Sequence, residues 1–243
     1  DLIFIKKIKS KKHTVIFNGR FSKNISKDNT VTKLLSILDK KKLLKDKKFH
    51  ITINKKIPNK SGLGGGSMNA ARILKYFKQK KIIRVSNDQM IKVSKLIGSD
   101  VVLGLDSNST ILTSKNKLKK FNISKKNNIL IVKPNFGCST KNIYSLVKKF
   151  EKPKLTRPNK RMFDLKFLSN MNNSLESVAF SKYPKLKKIK YDLENLTKPS
   201  FIRMTGSGSA LVAYFKTKKQ SDNAKKKFNK KYKNYWCIST KTI

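Results

Sequence analysis

The segment Ile57-Pro58-Asn59-Lys60-Ser61-Gly62-Leu63-Gly64-Gly65-Gly66-Ser67-Met68-Asn69-Ala70-Ala71 concentrates the residue types best suited to chemistry in this chain. Four glycines between a strand-like and a helix-like stretch let the backbone approach a ligand closely. They also aim several N–H donors, together with the positive end of a helix dipole, at one point. Such an arrangement binds phosphate. It is not the loop of the P-loop nucleotidases, because no Gly-Lys-Ser or Gly-Lys-Thr follows, and it fails as a dinucleotide fingerprint because Ser67 stands where the third glycine belongs. A merely flexible turn is the plainer reading. Pro58 ahead of the glycines, and the small residues Ser67, Ala70 and Ala71 after them, argue instead for a shaped, closely packed loop.

Two further segments carry candidate chemistry. In Gly98-Ser99-Asp100-Val101-Val102 a carboxylate follows directly on a helix end beside apolar residues, a setting suited to a partly desolvated general base for phosphoryl transfer to an alcohol. Taken alone, an aspartate after a helix-ending glycine is more often a turn residue. Arg203-Met204-Thr205-Gly206-Ser207-Gly208-Ser209-Ala210 lies between two strand-like runs and by itself reads as a hairpin turn that needs positive φ. Cys138 and Cys237 show no CxxC spacing and no nearby histidine, so free thiols used for packing are expected. His13 and His50 lie in strand-like segments and receive no role.

The elements that position these residues follow from periodicity. Asp1 to Ile8 and His13 to Asn18 read as a hairpin across the polar turn Lys9 to Lys12. Asp28 and Asn29 are caps for a helix with Val31, Leu34, Leu35 and Leu38 at i, i+3, i+4 and i+7. Phe49 to Asn54 alternates strictly and leads into the glycine-rich segment. A helix from about Ser67 to Lys78 buries Met68, Ala71, Leu74 and Phe77. The next opens on Ser86 and Gln89 in capping-box spacing and stops at Gly98. After a short strand at Thr110 to Thr113, the lysine- and asparagine-rich stretch Ser114 to Asn128 is the expected domain boundary. Beyond it come a strand at Ile129 to Lys133, a helix at Lys141 to Phe150 and a proline-punctuated loop at Glu151 to Arg161. Helices near Asp164 to Asn170 and Leu175 to Asn195 lead to strands at Phe201 to Met204 and Ala210 to Phe215. A helix near Gln220 to Lys230 and a strand around Trp236 to Ser239 complete the chain. The pattern is mixed α+β in two halves, 1–125 and 126–243, with helices on mostly antiparallel sheets.

The chain has 243 residues and is 37% hydrophobic, enough for a real core. No apolar run of bilayer-spanning length occurs and the start lacks the order of a secretory signal, so a cytoplasmic protein is expected. The formal charge of +46 proposes a nucleic-acid partner held by counterion release. However, all but six of the 59 basic residues are lysines spread along the whole length, whereas a dedicated site concentrates arginine on one face. A solvated surface is the stronger reading, and its positive field draws in anionic substrates such as nucleotides. A lysine-rich RNA-binding protein stays as the rival from another class.

The glycine-rich segment resembles the signature P-x-x-x-G-L-G-S-S-A-A of the GHMP kinases, the superfamily of galactokinase, homoserine kinase and mevalonate kinase. Its longer form, three glycines and then Ser67-Met68-Asn69-Ala70-Ala71, is similar to the branch acting on a cytidine diphosphate-linked methylerythritol on the route to isoprenoid precursors. Another GHMP kinase, of homoserine or mevalonate type, is the nearest alternative. The resemblance implies a GHMP kinase two-domain α+β fold, with an N-terminal domain like the second domain of ribosomal protein S5 and a ferredoxin-like C-terminal domain. It implies ATP and Mg²⁺ as cofactors. It also implies that Pro58, Ser61, Gly62, Leu63, Gly64, Gly65, Gly66, Ser67 and Asn69 bind the nucleotide, with Ser67 supporting the metal. Lys55 matches a basic position near the adenine, an exposed lysine being the equal alternative. Asp100 matches the catalytic aspartate of the family's G-A-D-V-P, from which Ser99, Val102 and Leu103-Gly104 depart. Gly206, Ser207 and Gly208 match the third motif, a loop that packs beside the phosphate nest.

Two more stretches narrow the branch. Pro134 to Tyr144 is similar to a segment ending in an aromatic residue near the cytidine, which makes Thr140 and Tyr144 candidate substrate contacts. Asn173-Ser174-Leu175-Glu176-Ser177-Val178-Ala179 is similar to the family's N-D-L-E-x-V-A. The family's opening strand carries a lysine and an asparagine beside the catalytic aspartate, followed by a Gly-Tyr-His segment at the cytidine. Neither occurs here. With Asp1 rather than methionine at the start, and Leu2, Phe4 and Ile5 already strand-like, a missing N-terminal segment is expected.

Overall fold

A computed structural model describes residues 1–113, 117–124, 126–148 and 155–242. Parts of the expected boundary at 114–128, of the helix at 141–150 and of the loop at 151–161 lie outside the described residues. The chain divides into two compact units. One comprises Asp1–Asn59 with Gly64–Ser107, the other Lys60–Leu63 with Asn108–Ile243. The division therefore falls earlier than the expected 125/126, and it assigns Lys60–Leu63 of the glycine-rich segment to the second unit.

In the first unit, β1 (Leu2–Ile8), β2 (Thr14–Asn18) and β3 (Lys48–Asn54) form one sheet in the order β1-β3-β2. The expected β1/β2 hairpin is incorrect: β3 lies between them, antiparallel to β1 with Leu2 opposite Asn54 and parallel to β2 with Thr14 opposite His50. The reason lies in burial. Phe49, Ile51 and Ile53 alternate with no break and are all buried, so β3 claims the centre, while β1 and β2 leave one face to solvent and suit the edges.

Helix α1 (Thr30–Lys40) is capped by the Asn29 side chain, which accepts from the amides of Val31 and Thr32. All four of its predicted apolar residues are buried. Helix α2 (Gly65–Gln79) begins two residues before the expected Ser67. Helix α3 (Asn87–Ile97) opens with the predicted capping box of Ser86 and Gln89. The buried faces of these helices join β3 in one core that includes Leu34, Leu35, Ile51, Leu74, Phe77 and Val93. Each such side chain contributes roughly 1.5–3 kcal/mol on leaving water.

In the second unit, β4 (Ser109–Leu112) pairs with β5 (Leu118–Phe121), a strand inside the stretch read as a boundary. A four-stranded sheet of β6 (Asn128–Lys133), β7 (Phe201–Met204), β8 (Leu211–Phe215) and β9 (Trp236–Lys241) runs β7-β8-β6-β9, antiparallel throughout. Its helices are α4 (Thr140–Ser145), α5 (Leu165–Ser169), α6 (Glu176–Lys182), α7 (Pro184–Thr197) and α8 (Lys218–Lys231). With helices between β6 and β7 and between β8 and β9, the strand order is that of a ferredoxin-like split βαβ arrangement. The single helix expected over 175–195 is two helices. Tyr183 precedes Pro184, and proline disfavours helical backbone in the residue before it, so the chain turns there and restarts with proline at the first helical position.

Candidate functional site: a glycine-rich loop and its supports

The two halves of the glycine-rich loop are built differently. In the second unit the carbonyl of Ser61 accepts the amide of Ala210 at 3.0 Å and the hydroxyl of Thr205 at 3.2 Å, while the carbonyl of Lys60 accepts the amide of Ser209 at 3.3 Å. Gly62 has φ +72°, and a Cβ there would lie 2.1 Å from the carbonyl oxygen of Thr205, so no other residue fits. Ser61 is buried and its hydroxyl accepts the amide of Leu63. The loop's start is thus stitched to the third glycine-serine motif.

Gly64 to Ser67, in the first unit, are open by comparison. Gly64 caps α2 in the left-handed conformation with no side-chain hydrogen bond, and a Cβ on it would meet nothing within 4 Å. The first-turn amides of Gly65, Gly66 and Ser67 therefore have no capping side chain, and the helix dipole places partial positive charge among them. Thr30 donates its hydroxyl to the carbonyl of Gly66 at 2.9 Å and holds the turn from the side of α1. These features fit a phosphate group.

Lys55 and Asn69 are inside rather than on the rim. The Asp1 carboxylate, its side chain 2% exposed, accepts from the Lys55 ammonium at 2.5 Å, the Asn69 amide at 2.7 Å and the backbone amides of Lys56 and Ile57. Burial pushes the Lys55 pKa down, and the aspartate is its charged partner. The alternative of an exposed lysine is therefore corrected: Lys55 is buried and its ammonium is bonded to Asp1. Four donors on one buried carboxylate pin the end of β3 to α2, a role that no local pattern around Asp1 signals. Pro58 is also buried.

Asp100 follows α3 and precedes a 3-10 turn at Val101–Leu105. Contrary to the expected partial desolvation, Asp100 is exposed. Its carboxylate makes no cap to the turn and takes a hydrogen bond from the Ser99 hydroxyl at 3.2 Å. The 3-10 turn packs on α2 through Gly104, where a Cβ would stand 2.7 Å from Cβ of Ala71 and 2.8 Å from Sδ of Met68. That close approach leaves no room for a side chain at position 104, and it ties the aspartate's turn to the helix carrying Gly65, Gly66 and Ser67.

In the second unit, Thr140 and the buried Ser207 are joined hydroxyl to hydroxyl at 2.9 Å, so two expected substrate contacts meet. Tyr144 is 52% exposed on α4 and presents a free aromatic face. Gly206 and Gly208 both adopt positive φ. The Lys133 ammonium, buried, donates to the carbonyls of Pro134 and Phe136, and the Ser209 hydroxyl donates to Phe136 as well, which shapes the segment leading to Thr140. Cys138 lies under Gly208, and burial pushes its thiol up to about 11, the mark of a packing residue. Arg203 donates to the carbonyls of Leu168 and Met171 and is structural.

A cavity of 670 Å³ between β2 and α1 contains no residue of the glycine-rich loop. His13 lines it. Its Nδ1 accepts the Phe49 amide and its Nε2 meets Asp39, so this histidine serves the fold. Among the described residues no group of three or more His, Cys, Asp or Glu could hold a metal, and no helix is long and apolar enough to cross a membrane.

Residues 29–110 match the GHMP kinases N terminal domain and residues 146–234 the GHMP kinases C terminal family. The chain is 51% identical over its full length to a 4-diphosphocytidyl-2-C-methyl-D-erythritol kinase of Pelagibacter ubique (strain HTCC1062), of which it covers 86%. A crystal structure of a 4-(cytidine 5'-diphospho)-2C-methyl-D-erythritol kinase superposes on 98% of this chain and 84% of its own, with TM-score 0.74 and 21% identity. The homoserine kinase of Cytophaga hutchinsonii shares the fold at TM-score 0.72 and 14% identity, covering 99% of this chain and 85% of its own.

Proposed function

The chain belongs to the GHMP kinases, and from that membership we propose that it phosphorylates the 2-hydroxyl of 4-diphosphocytidyl-2-C-methyl-D-erythritol with ATP, on the methylerythritol phosphate route to isoprenoid precursors. The observation that carries the reading is the uncapped, glycine-opened N-terminus of α2 in a chain half identical to a kinase of that name.

ATP supplies an activated γ-phosphoryl group. Gly62 to Ser67 hold its phosphates through backbone amides, with Leu63 and Asn69 completing the loop and the first turn of the helix. Mg²⁺ would be held beside the nucleotide by the Ser67 hydroxyl at the start of α2 and would supply neutralisation of the phosphate charge. The exposed carboxylate of Asp100, uncommitted to its own turn, accepts the proton of the substrate hydroxyl as the oxygen bonds to phosphorus and ADP leaves. Thr140, Tyr144 and Gly206 to Gly208 serve the cytidine-bearing substrate, with Tyr144 offering a ring face to the pyrimidine. Positioning and neutralisation of charge supply most of the rate.

The test is direct. Purified full-length protein with ATP and Mg²⁺ should convert the cytidyl alcohol to its 2-phosphate, seen by phosphorus NMR, while leaving homoserine and mevalonate untouched. Turnover of homoserine without turnover of the cytidyl alcohol would refute the substrate assignment. We expect filter binding of RNA near physiological salt to be weak; sub-micromolar affinity with a steep salt slope would favour the RNA-binding reading.

A further inference from the structure

Strand β7 is an edge of its sheet, and among the described residues no neighbouring strand stands beyond it for Met204. Two side chains take that place. Asn173 donates its Nδ2 to the carbonyls of Met204 at 2.9 Å and Gly206 at 2.7 Å, while its Oδ1 accepts the Leu175 amide at 3.0 Å. Glu176 accepts the Met204 amide at 2.9 Å through one oxygen and the Lys190 ammonium through the other. Only an asparagine-type amide offers two donors and an acceptor from one short stem, and here all three are used.

The residues so held are those against which the glycine-rich loop rests. Thr205 and Gly206 form the wall that Gly62 touches: a Cβ on Gly206 would lie 3.2 Å from the Gly62 carbonyl oxygen, and Thr205 bonds the Ser61 carbonyl. A continuous path of hydrogen bonds and backbone contact thus runs from Asn173 through Gly206 to Gly62, inside the second unit. We propose that Asn173, assisted by Glu176, is a positioning residue for nucleotide binding that acts through Gly206 on the start of the phosphate loop. This inference rests on the kinase reading above and gives the Asn-Ser-Leu-Glu motif a task. A 460 Å³ cavity lined by Asn173, Glu176, Lys190 and Arg203 lies behind the clamp, so water can reach carbonyls that lose their donor and the fold can survive the change.

Asn173→Asp keeps size and the Leu175 acceptor but turns a carboxylate oxygen toward two carbonyls. The dissociation constant for ATP, measured calorimetrically with no alcohol present, should rise about tenfold, and KM for ATP should follow. In contrast, kcat should change less than about threefold, and any rise in KM for the alcohol, whose binding also uses Gly206, should be smaller than the rise for ATP. Asn173→Ser, which retains a single short donor, should show the same pattern and serves if the aspartate variant does not fold. An ATP affinity within twofold of wild type in a folded variant would overturn the proposal, even if the melting temperature had dropped, because a merely structural clamp predicts that result. A wild-type protein that binds ATP yet ignores the cytidyl alcohol would instead sink the substrate assignment while leaving the ATP measurement on Asn173 readable.

Discussion

The first half of the phosphate loop is closed and the second is open. Lys60 and Ser61 spend their carbonyls on Thr205, Ser209 and Ala210, and Gly62 has no room for even a methyl group. The helix opened by Gly65 to Ser67 carries no capping side chain, and a Cβ on Gly64 would meet nothing within 4 Å. A binding loop needs both properties. Amides clear of capping side chains can grip a phosphate, and a frame fixed through its carbonyls spares the loop ordering entropy each time it does so.

The contrast can be tested by substitutions of decreasing effect. The largest change is expected from Asp100→Asn, which touches neither half. Turnover should fall by roughly 10²–10⁴ with ATP affinity nearly unchanged, and near-normal turnover in a steady-state assay would remove Asp100 from the chemistry. Gly62→Ala drives a methyl into the Thr205 carbonyl. It should cost more than about 3 kcal/mol of stability by denaturant titration and weaken ATP binding with it. Gly64→Ala meets no neighbour and pays only left-handed backbone strain, about 1 kcal/mol, so ATP affinity should move more than the unfolding midpoint. Equal loss of stability in these two variants would erase the distinction between closed and open halves.

The smallest effect belongs to His13, outside both halves. Burial, the dominant cause, holds its pKa below the ordinary value of 6.5, against the opposing pull of Asp39, and protonation of Nδ1 would break the bond from the Phe49 amide. With the folded-state value depressed, its contribution is intact above pH 6.5 and is lost as pH falls below that toward the folded-state value. Unfolding free energy measured from pH 7 to 5 should therefore decline, and His13→Asn should flatten the decline without altering ATP affinity at pH 7. An unchanged slope would mean that His13 does not titrate in this window.

Much of the site could be read before any coordinates. The glycine-rich loop, the aspartate after α3 and the glycine-serine turn were each visible as short runs whose backbone requirements are local. The partners of these runs were not. Lys55 reads in the sequence as a surface lysine or a nucleotide contact; the structure buries it with its ammonium bonded to Asp1, 54 positions away. Asn173 and Glu176 stood in a recognisable motif with no task until their contacts with Met204 and Gly206, roughly thirty residues on, were seen. Asp100 was expected to be half-shielded, and an aspartate's exposure depends on neighbours that its own segment does not contain.

By itself the sequence determined the caps at Asn29 and Ser86, the buried stripes of α1 and α3, the alternation of β3 and the position of the phosphate loop between strand and helix. These depend on residues within one or two turns of each other, where capping, periodicity and glycine backbone freedom act directly. Tertiary structure decided that β3 separates β1 from β2, that the Lys55 charge is spent on Asp1, and that Asn173 braces Gly206. Each of these is a choice among chemically equivalent partners far apart in the chain. Hydrogen-bond geometry and the competition for burial settle such choices only once the core has formed.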